Sequence, residues 1–201
     1  KEVIIVPGYG MAIAQAQHLV KQVADKLRAS GTTIKYAIHP VAGRMPGHMN
    51  VLLCEADVDY EDLYEMDDIN SEFANADATI VVGANDVLNP AANTAEGTPI
   101  YGMPVLNVAD CKNIFIFNYD TKPGYAGVDN PIYAREEGVH LYLGNAAESL
   151  QTFLNDMDKP ATSTEAPVKE EKKDTFTPSS LLGSKEVIIV PGYGMAIAQA
   201  Q

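Results

Sequence analysis

The chain opens on Lys-Glu-Val-Ile-Ile-Val-Pro-Gly-Tyr-Gly, a short apolar run that breaks into a glycine turn before a helical pattern begins near Met11. A buried strand followed by Gly-x-Gly and a helix restricts the fold more than any other feature of the sequence. This is the entry to a βαβ unit, in which the first glycine permits a tight turn and the second lets the backbone approach a pyrophosphate. Gly8 and Gly10 hold those two positions. Tyr9 lies between them, and Ile13 takes the third position, where Gly or Ala is usual. Ala12 and Ile13 begin the expected helix, whose free N–H groups would face an anion. A strand–turn–helix without ligand is the competing reading of these residues alone.

The same segment occurs twice, since residues 185–201 repeat residues 1–17 without a difference. One glycine-turn strand is enough to start one doubly wound sheet, so the second copy is surplus. A fragment of a tandem protein, a chain built with an overlap and a wrapped assembly all explain it. Two identical strands compete for one slot, and the first copy, with its complete helix, is expected to hold it; strand exchange between chains is the minor alternative.

Beyond the first strand, apolar runs alternate with helical patterns. Strands are expected at residues 3–6, 34–38, 62–66, 79–83, 113–118 and 140–143, and helices at 12–27, 49–56 and 145–157. Gly31 closes the first helix. Residues 39–48 and most of 84–104 read as loop from their Pro and Gly content. Alternation of this kind predicts an α/β fold: a Rossmann-like, doubly wound, six-stranded parallel sheet with helices on both faces. The nucleotide-binding domain is expected over residues 1–158. Residues 159–184, rich in Pro, Ser, Thr and charge, read as a flexible linker, and residues 185–201 as the duplicate.

A net charge of −13 and a pI near 4.6 argue against nucleic acid as a partner. Cys54 and Cys111 have no metal-like spacing and are read as reduced thiols. No metal site is expected, and no apolar run approaches the about 18 residues of a membrane span.

Six segments then combine: Pro-Gly-Tyr-Gly-Met-Ala-Ile-Ala-Gln-Ala-Gln (7–17), His-Pro-Val-Ala-Gly-Arg-Met-Pro-Gly-His-Met-Asn-Val-Leu-Leu (39–53), Glu-Met-Asp-Asp-Ile-Asn (65–70), Gly-Ala-Asn-Asp-Val-Leu-Asn-Pro-Ala-Ala (83–92), Gly-Met-Pro-Val-Leu (102–106) and Gly-Tyr-Ala-Gly-Val-Asp-Asn-Pro (124–131). Together they resemble the NADP(H)-binding domain, domain III at the C-terminal end of the beta subunit, of proton-translocating NAD(P) transhydrogenase. The resemblance covers about residues 1–158. It implies a six-stranded Rossmann-like sheet that binds NADP(H) in reversed orientation and passes hydride directly to or from NAD(H) on a partner domain. It also implies a transmembrane domain that couples this step to proton movement, and a dimeric parent complex. The domain would be soluble, on the cytoplasmic or mitochondrial matrix face of a membrane. Such a reaction needs two nicotinamides held in reach and no protein nucleophile.

By the same resemblance, Gly8, Tyr9, Gly10, Ala12 and Ile13 contact the cofactor, as do Val41, Ala42, Gly43 and Arg44, whose guanidinium suits phosphate. Gly83, Ala84, Asn85 and Asp86 follow a strong strand, with Asp86 at the nicotinamide end. Gly124, Tyr125, Ala126 and Gly127 would form a lid over the nucleotide, and Asp129 is a further cofactor contact. His39 and Asp86 are possible coupling residues, with a packed loop histidine and an Asx turn as the plain alternatives. His18 and His48 read as surface or loop histidines, and Asp67 and Asp68 as surface or cap residues. One departure matters. Where the family has Lys-Arg-Ser to bind the 2′-phosphate, this chain has Asn118, Tyr119 and Asp120, followed by Lys122. Two cations are lost and a carboxylate gained, at about 1.5–3 kcal/mol for each charge-assisted bond. NADP is therefore expected to be only slightly preferred and NAD(H) to be possible. A stand-alone NAD(P)(H)-binding or redox-sensing module is the alternative function, separated by whether bound nucleotide exchanges hydride with a partner domain. An ordinary soluble dehydrogenase lacks room here for a substrate domain.

Overall fold

The computed structural model describes residues 1–159, together with the backbone of residues 188 and 189. Residues 160–184 of the expected linker and nearly all of the repeat lie outside the described residues. Six strands, β1 (Glu2–Pro7), β2 (Thr33–Ile38), β3 (Leu63–Glu65), β4 (Thr79–Val82), β5 (Ile114–Asn118) and β6 (Val139–Leu143), are all parallel. Their order is β3-β2-β1-β4-β5-β6, with chain direction across the sheet reversing between β1 and β4. That order is the doubly wound Rossmann arrangement.

Both faces of the sheet are buried, so the strands read as continuous apolar runs. Alternate residues of each strand nonetheless enter different cores. Val3 and Ile5 of β1 and Phe115 and Phe117 of β5 face one layer. Ile4, Val6, Ile114 and Ile116 face the other. The first layer is covered by α2 (Gln17–Ala29), α3 (His48–Glu55) and α5 (Ala146–Met157), and Phe153 of α5 stands edge-on to Phe117 at 5.2 Å. The second layer has only the four-residue α4 (Met66–Ile69) as helix; loops and 3-10 turns supply the rest, including Phe73, Leu88, Leu106 and Ile132.

Two differences from the sequence reading follow from backbone geometry. The single helix expected over 12–27 is two, α1 (Tyr9–Ala14) and α2, because Gln15 turns left-handed at φ 48° and ends the first. The third strand stops at Glu65, and Met66, which was expected within it, starts α4 with Asp67 and Asp68 in its first turn. Residues Ile188–Ile189 of the repeat form β7, parallel to β1 (Ile5↔Ile189) and to β4 (Thr79↔Ile188, Ile80↔Ile189). β1 and β4 also pair directly, at Ile4↔Thr79, Val6↔Val81 and Pro7↔Val82. Thr79 of β4 is thus paired both with Ile4 and with its copy Ile188.

Candidate functional site

A cavity of about 430 Å³ opens where the chain direction reverses, beyond the C-terminal ends of β1, β2 and β4. Three segments meet there: Gly8 and Tyr9 after β1, Val41 to Arg44 after β2, and Ala84 to Val87 after β4, with Met103 and Tyr125 closing the sides. Parallel strands aim their C-terminal ends at one edge, and loops diverging from a reversal point leave a crevice between them.

The glycine turn passes directly into α1, with Met11 N–H donating to Gly8 O at 3.0 Å. Gly10 is buried, and Ala12 and Ile13 are half-buried along α1 outside the cavity wall. α1 has only six residues. Its dipole is correspondingly short, so an anion at this turn would have to be held by the turn's own N–H groups and a nearby cation.

That cation is Arg44. Its guanidinium lies 4.7 Å from the centroid of the Tyr9 ring, which orders a side chain that is otherwise exposed. His48 supports the same loop. Its Nδ1 accepts the Arg44 N–H at 3.1 Å, and its ring lies 6.0 Å from that of Tyr9. Gly43 sits against His48 at φ 98°, where a Cβ would come within 2.5 Å of Nδ1. The sequence reading missed this support; the signal was a histidine four residues beyond the arginine, behind a second glycine.

His39, at the end of β2, is buried. Val41 N–H donates to its Nδ1 at 3.2 Å, which leaves Nε2 protonated to donate to Pro104 O at 2.8 Å. Burial lowers the imidazole pKa below its usual value, only partly opposed by the Pro104 bond. The neutral ring ties the Val41 loop to the loop carrying Met103. Asn70, from the third of the sequence motifs, braces that loop from below: its Nδ2 donates to Val105 O at 3.0 Å and its Oδ1 accepts Asn107 N–H at 2.9 Å.

Asp86 is the cavity's acid. Burial raises its pKa, while backbone N–H groups of Ala126 and Tyr125 pull it back. Oδ2 accepts Ala126 N–H at 2.9 Å, and Oδ1 is buried with no hydrogen-bond partner among the described residues. Gly124 lies so close that a Cβ there would be 2.5 Å from Oδ1. The segment expected as a lid therefore rests on this carboxyl, with the Tyr125 ring 91% exposed at the cavity rim. Gly83 is buried at the end of β4 with φ 73°. Gly127 and Asp129 are exposed beyond the cavity wall.

The residues at the family's 2′-phosphate position lie apart from this cavity wall. Asn118 is buried, and its Nδ2 donates to Ala84 O at 3.0 Å and to the Tyr133 hydroxyl. It ties the end of β5 to the chain just after β4 and to the β5–β6 connection rather than facing outward. Tyr119 is exposed. Asp120 accepts Lys122 N–H at 3.0 Å and faces Lys122 Nζ at 3.5 Å, so carboxylate and ammonium offset each other locally. Among the described residues, no three His, Cys, Asp or Glu side chains gather as a metal site, and no helix is long and apolar enough to cross a membrane.

The family model described as NAD(P) transhydrogenase beta subunit matches residues 1–156. Two relatives named NAD(P) transhydrogenase subunit beta, both from Rhodospirillum rubrum, are each 50% identical to this chain over 157 residues, covering 78% of the chain and 34% of the relative. The chain thus spans about a third of the length of these relatives. A Rossmann-ordered sheet with an open crevice at its reversal point, matched over nearly all of its described length, belongs to the NAD(P) transhydrogenase beta subunit family.

Proposed function

We propose that this domain is the NADP(H)-binding domain III of a proton-translocating transhydrogenase and that the cavity between Gly8, Arg44 and Asp86 holds the nicotinamide nucleotide. The observation that carries the reading is the cavity's position at the β1/β4 reversal, in a chain of this family. The residues present fit the cofactor. The Gly8–Tyr9 turn offers backbone N–H groups, and Arg44, ordered on Tyr9, offers a bidentate cation for a phosphate. Asp86 Oδ1, buried without a partner, suits a polar group of the ligand. Oδ1 suits a carboxamide N–H as its donor, while Oδ2 keeps the Ala126 N–H. The nicotinamide ring, when bound, supplies the hydride carrier; the chain's residues orient it and shield it from water.

On this reading the chain works beside an NAD(H)-binding domain and a transmembrane domain in a dimeric parent complex, as a soluble domain on the cytoplasmic or matrix face. The isolated chain has no turnover. Asp120 paired with Lys122, together with Asn118 turned into the core, weakens discrimination for the 2′-phosphate. The same observation favours a second reading, a nucleotide-holding or redox-sensing module without turnover.

Calorimetric titration of the purified chain with NADP(H) and NAD(H) separately tests the proposal. Binding of both, with a preference for NADP below about a thousandfold, is expected; about 1.4 kcal/mol accompanies each factor of ten. Absence of binding by either nucleotide overturns it. Mixing with an NAD(H)-holding transhydrogenase domain then separates the readings: hydride transfer supports the enzyme component, and bound nucleotide without transfer supports the module.

A further inference from the structure

Residues 122–130 are fastened at both ends to one side chain. Asn85, buried beside the cavity, donates from Nδ2 to Lys122 O at 2.9 Å, at the start of this segment. Asn130, at its end and also buried, donates from Nδ2 to Asn85 Oδ1 at 3.1 Å and to Asn85 O at 3.3 Å. Asn130 Oδ1 accepts Ile132 N–H at 3.1 Å and so caps the 3-10 turn Pro131–Ala134. Between these points Asp86 grips Ala126 N–H, and Asn89 Nδ2 donates to Val128 O at 3.3 Å and Asp129 O at 3.2 Å.

Asn85 carries the start of the segment only while its amide points Nδ2 at Lys122 O. A planar amide reverses donor and acceptor by a half-turn, and burial leaves no water to make up a wrong choice. Asn130 fixes the choice, because its own Nδ2 requires Asn85 to present Oδ1. We propose that Asn130 is a positioning residue that, through Asn85, pins both ends of residues 122–130, so that only the middle, held by Asp86, opens and closes over the cavity. The pinning sets how long a nucleotide stays bound. This rests on the nucleotide-binding reading above for its ligand, though not for its geometry.

The test uses the full chain and two readouts. NADPH-loaded protein is chased with excess NADP in a stopped-flow fluorimeter, and amide hydrogen exchange is followed at residues 124–126 without nucleotide. Asn130→Asp keeps the acceptor for Ile132 N–H but sets oxygen against both Asn85 oxygens. It is expected to lose both Nδ2 bonds to Asn85, to speed NADPH release about tenfold or more, and to raise exchange at 124–126. Asn130→Ser, which keeps an acceptor but is too short to reach Asn85, gives the same result if the aspartate variant does not fold. Asn113→Ala is the control. It removes a comparable amide anchor, Asn113 Nδ2 to Asp77 O at 2.8 Å, at the opposite end of the strands, and is expected to leave release unchanged. Release within twofold of the parent and unchanged exchange in a folded Asn130 variant overturn the proposal. An equal acceleration in Asn113→Ala overturns it too, since the effect would then be one of general stability. If the parent binds no nucleotide, the nucleotide reading fails, and the exchange arm alone decides for or against the pinning.

Discussion

The two halves of the sheet are built by different physics. From β1 to β3 the first crossover is mainly α2, whose Val20, Val23, Ala24 and Leu27 form one buried stripe. From β4 to β6 neither crossover contains an α-helix: 3-10 turns at Asp86–Leu88, Pro90–Asn93, Val108–Asp110 and Pro131–Ala134 carry the chain. The four buried asparagines of the described residues, Asn85, Asn89, Asn118 and Asn130, all lie in this second half. An apolar stripe is held by area and tolerates small shifts. A buried amide network is held by direction: satisfied, it specifies one geometry; broken at one member, it strands several polar groups. The cavity lies on the seam, with the glycine turn and Arg44 on the area-held side and Asp86 and Tyr125 on the direction-held side. A rim fixed by a few directional bonds opens locally without unfolding the sheet.

Three substitutions break or sharpen this contrast. Phe153→Ala removes a fully buried ring that meets Phe117 and Tyr142 edge-on, at 5.2 and 5.5 Å. It is expected to cost about 3–5 kcal/mol in denaturant unfolding, spread over the whole domain, because this ring belongs to the one apolar layer that joins α2 of the first half to β5 and β6 of the second. Asn89→Ala removes a fully buried amide whose Oδ1 accepts Ala91 N–H at 3.0 Å and whose Nδ2 donates to the Val128 and Asp129 carbonyls. It is expected to cost about 1–3 kcal/mol, with raised hydrogen exchange confined to residues 86–93 and 126–131. Uniform loss of protection across β1 and β2 would erase the distinction between the halves.

The third substitution concerns pH. Burial depresses the His39 pKa in the fold, so the unfolded chain takes up its proton first. The stability tied to the neutral ring is present above the unfolded value near 6.5 and is lost as pH falls through the lower folded value. His39→Gln, which keeps a donor for Pro104 O, is expected to flatten that part of the stability-against-pH curve while changing stability little at pH 8. An unchanged slope below pH 6.5 would show that His39 does not carry it.

Legibility in the sequence followed the same division. Apolar runs located all six main strands to within a residue or two, and the periodicity of 145–157 marked α5 with its buried Leu150, Phe153 and Leu154. The break at Gln15 was illegible, because a left-handed glutamine has no signature in a sequence of good helix formers. The 3-10 turns of 86–93 were half-legible as Asn and Pro in a loop. Asn118 was read as a cofactor contact, because the resemblance places it in the 2′-phosphate segment at the end of a strand. Its burial depends on Ala84 and Tyr133, distant in sequence. His48 looked ordinary for the same reason: its Nδ1 matters only because the loop folds Arg44 N–H onto it.

The sequence by itself determined the layers, the strand direction and the glycine turn, because periodicity and backbone permissiveness are local properties read from neighbouring residues. Tertiary structure alone decided which polar groups face the cavity and which are consumed in holding it open. Hydrogen-bond partners such as Asn85 and Asn130, or His39 and Pro104, are distant along the chain, and each amide or ring has more donors and acceptors than any one local pattern can assign.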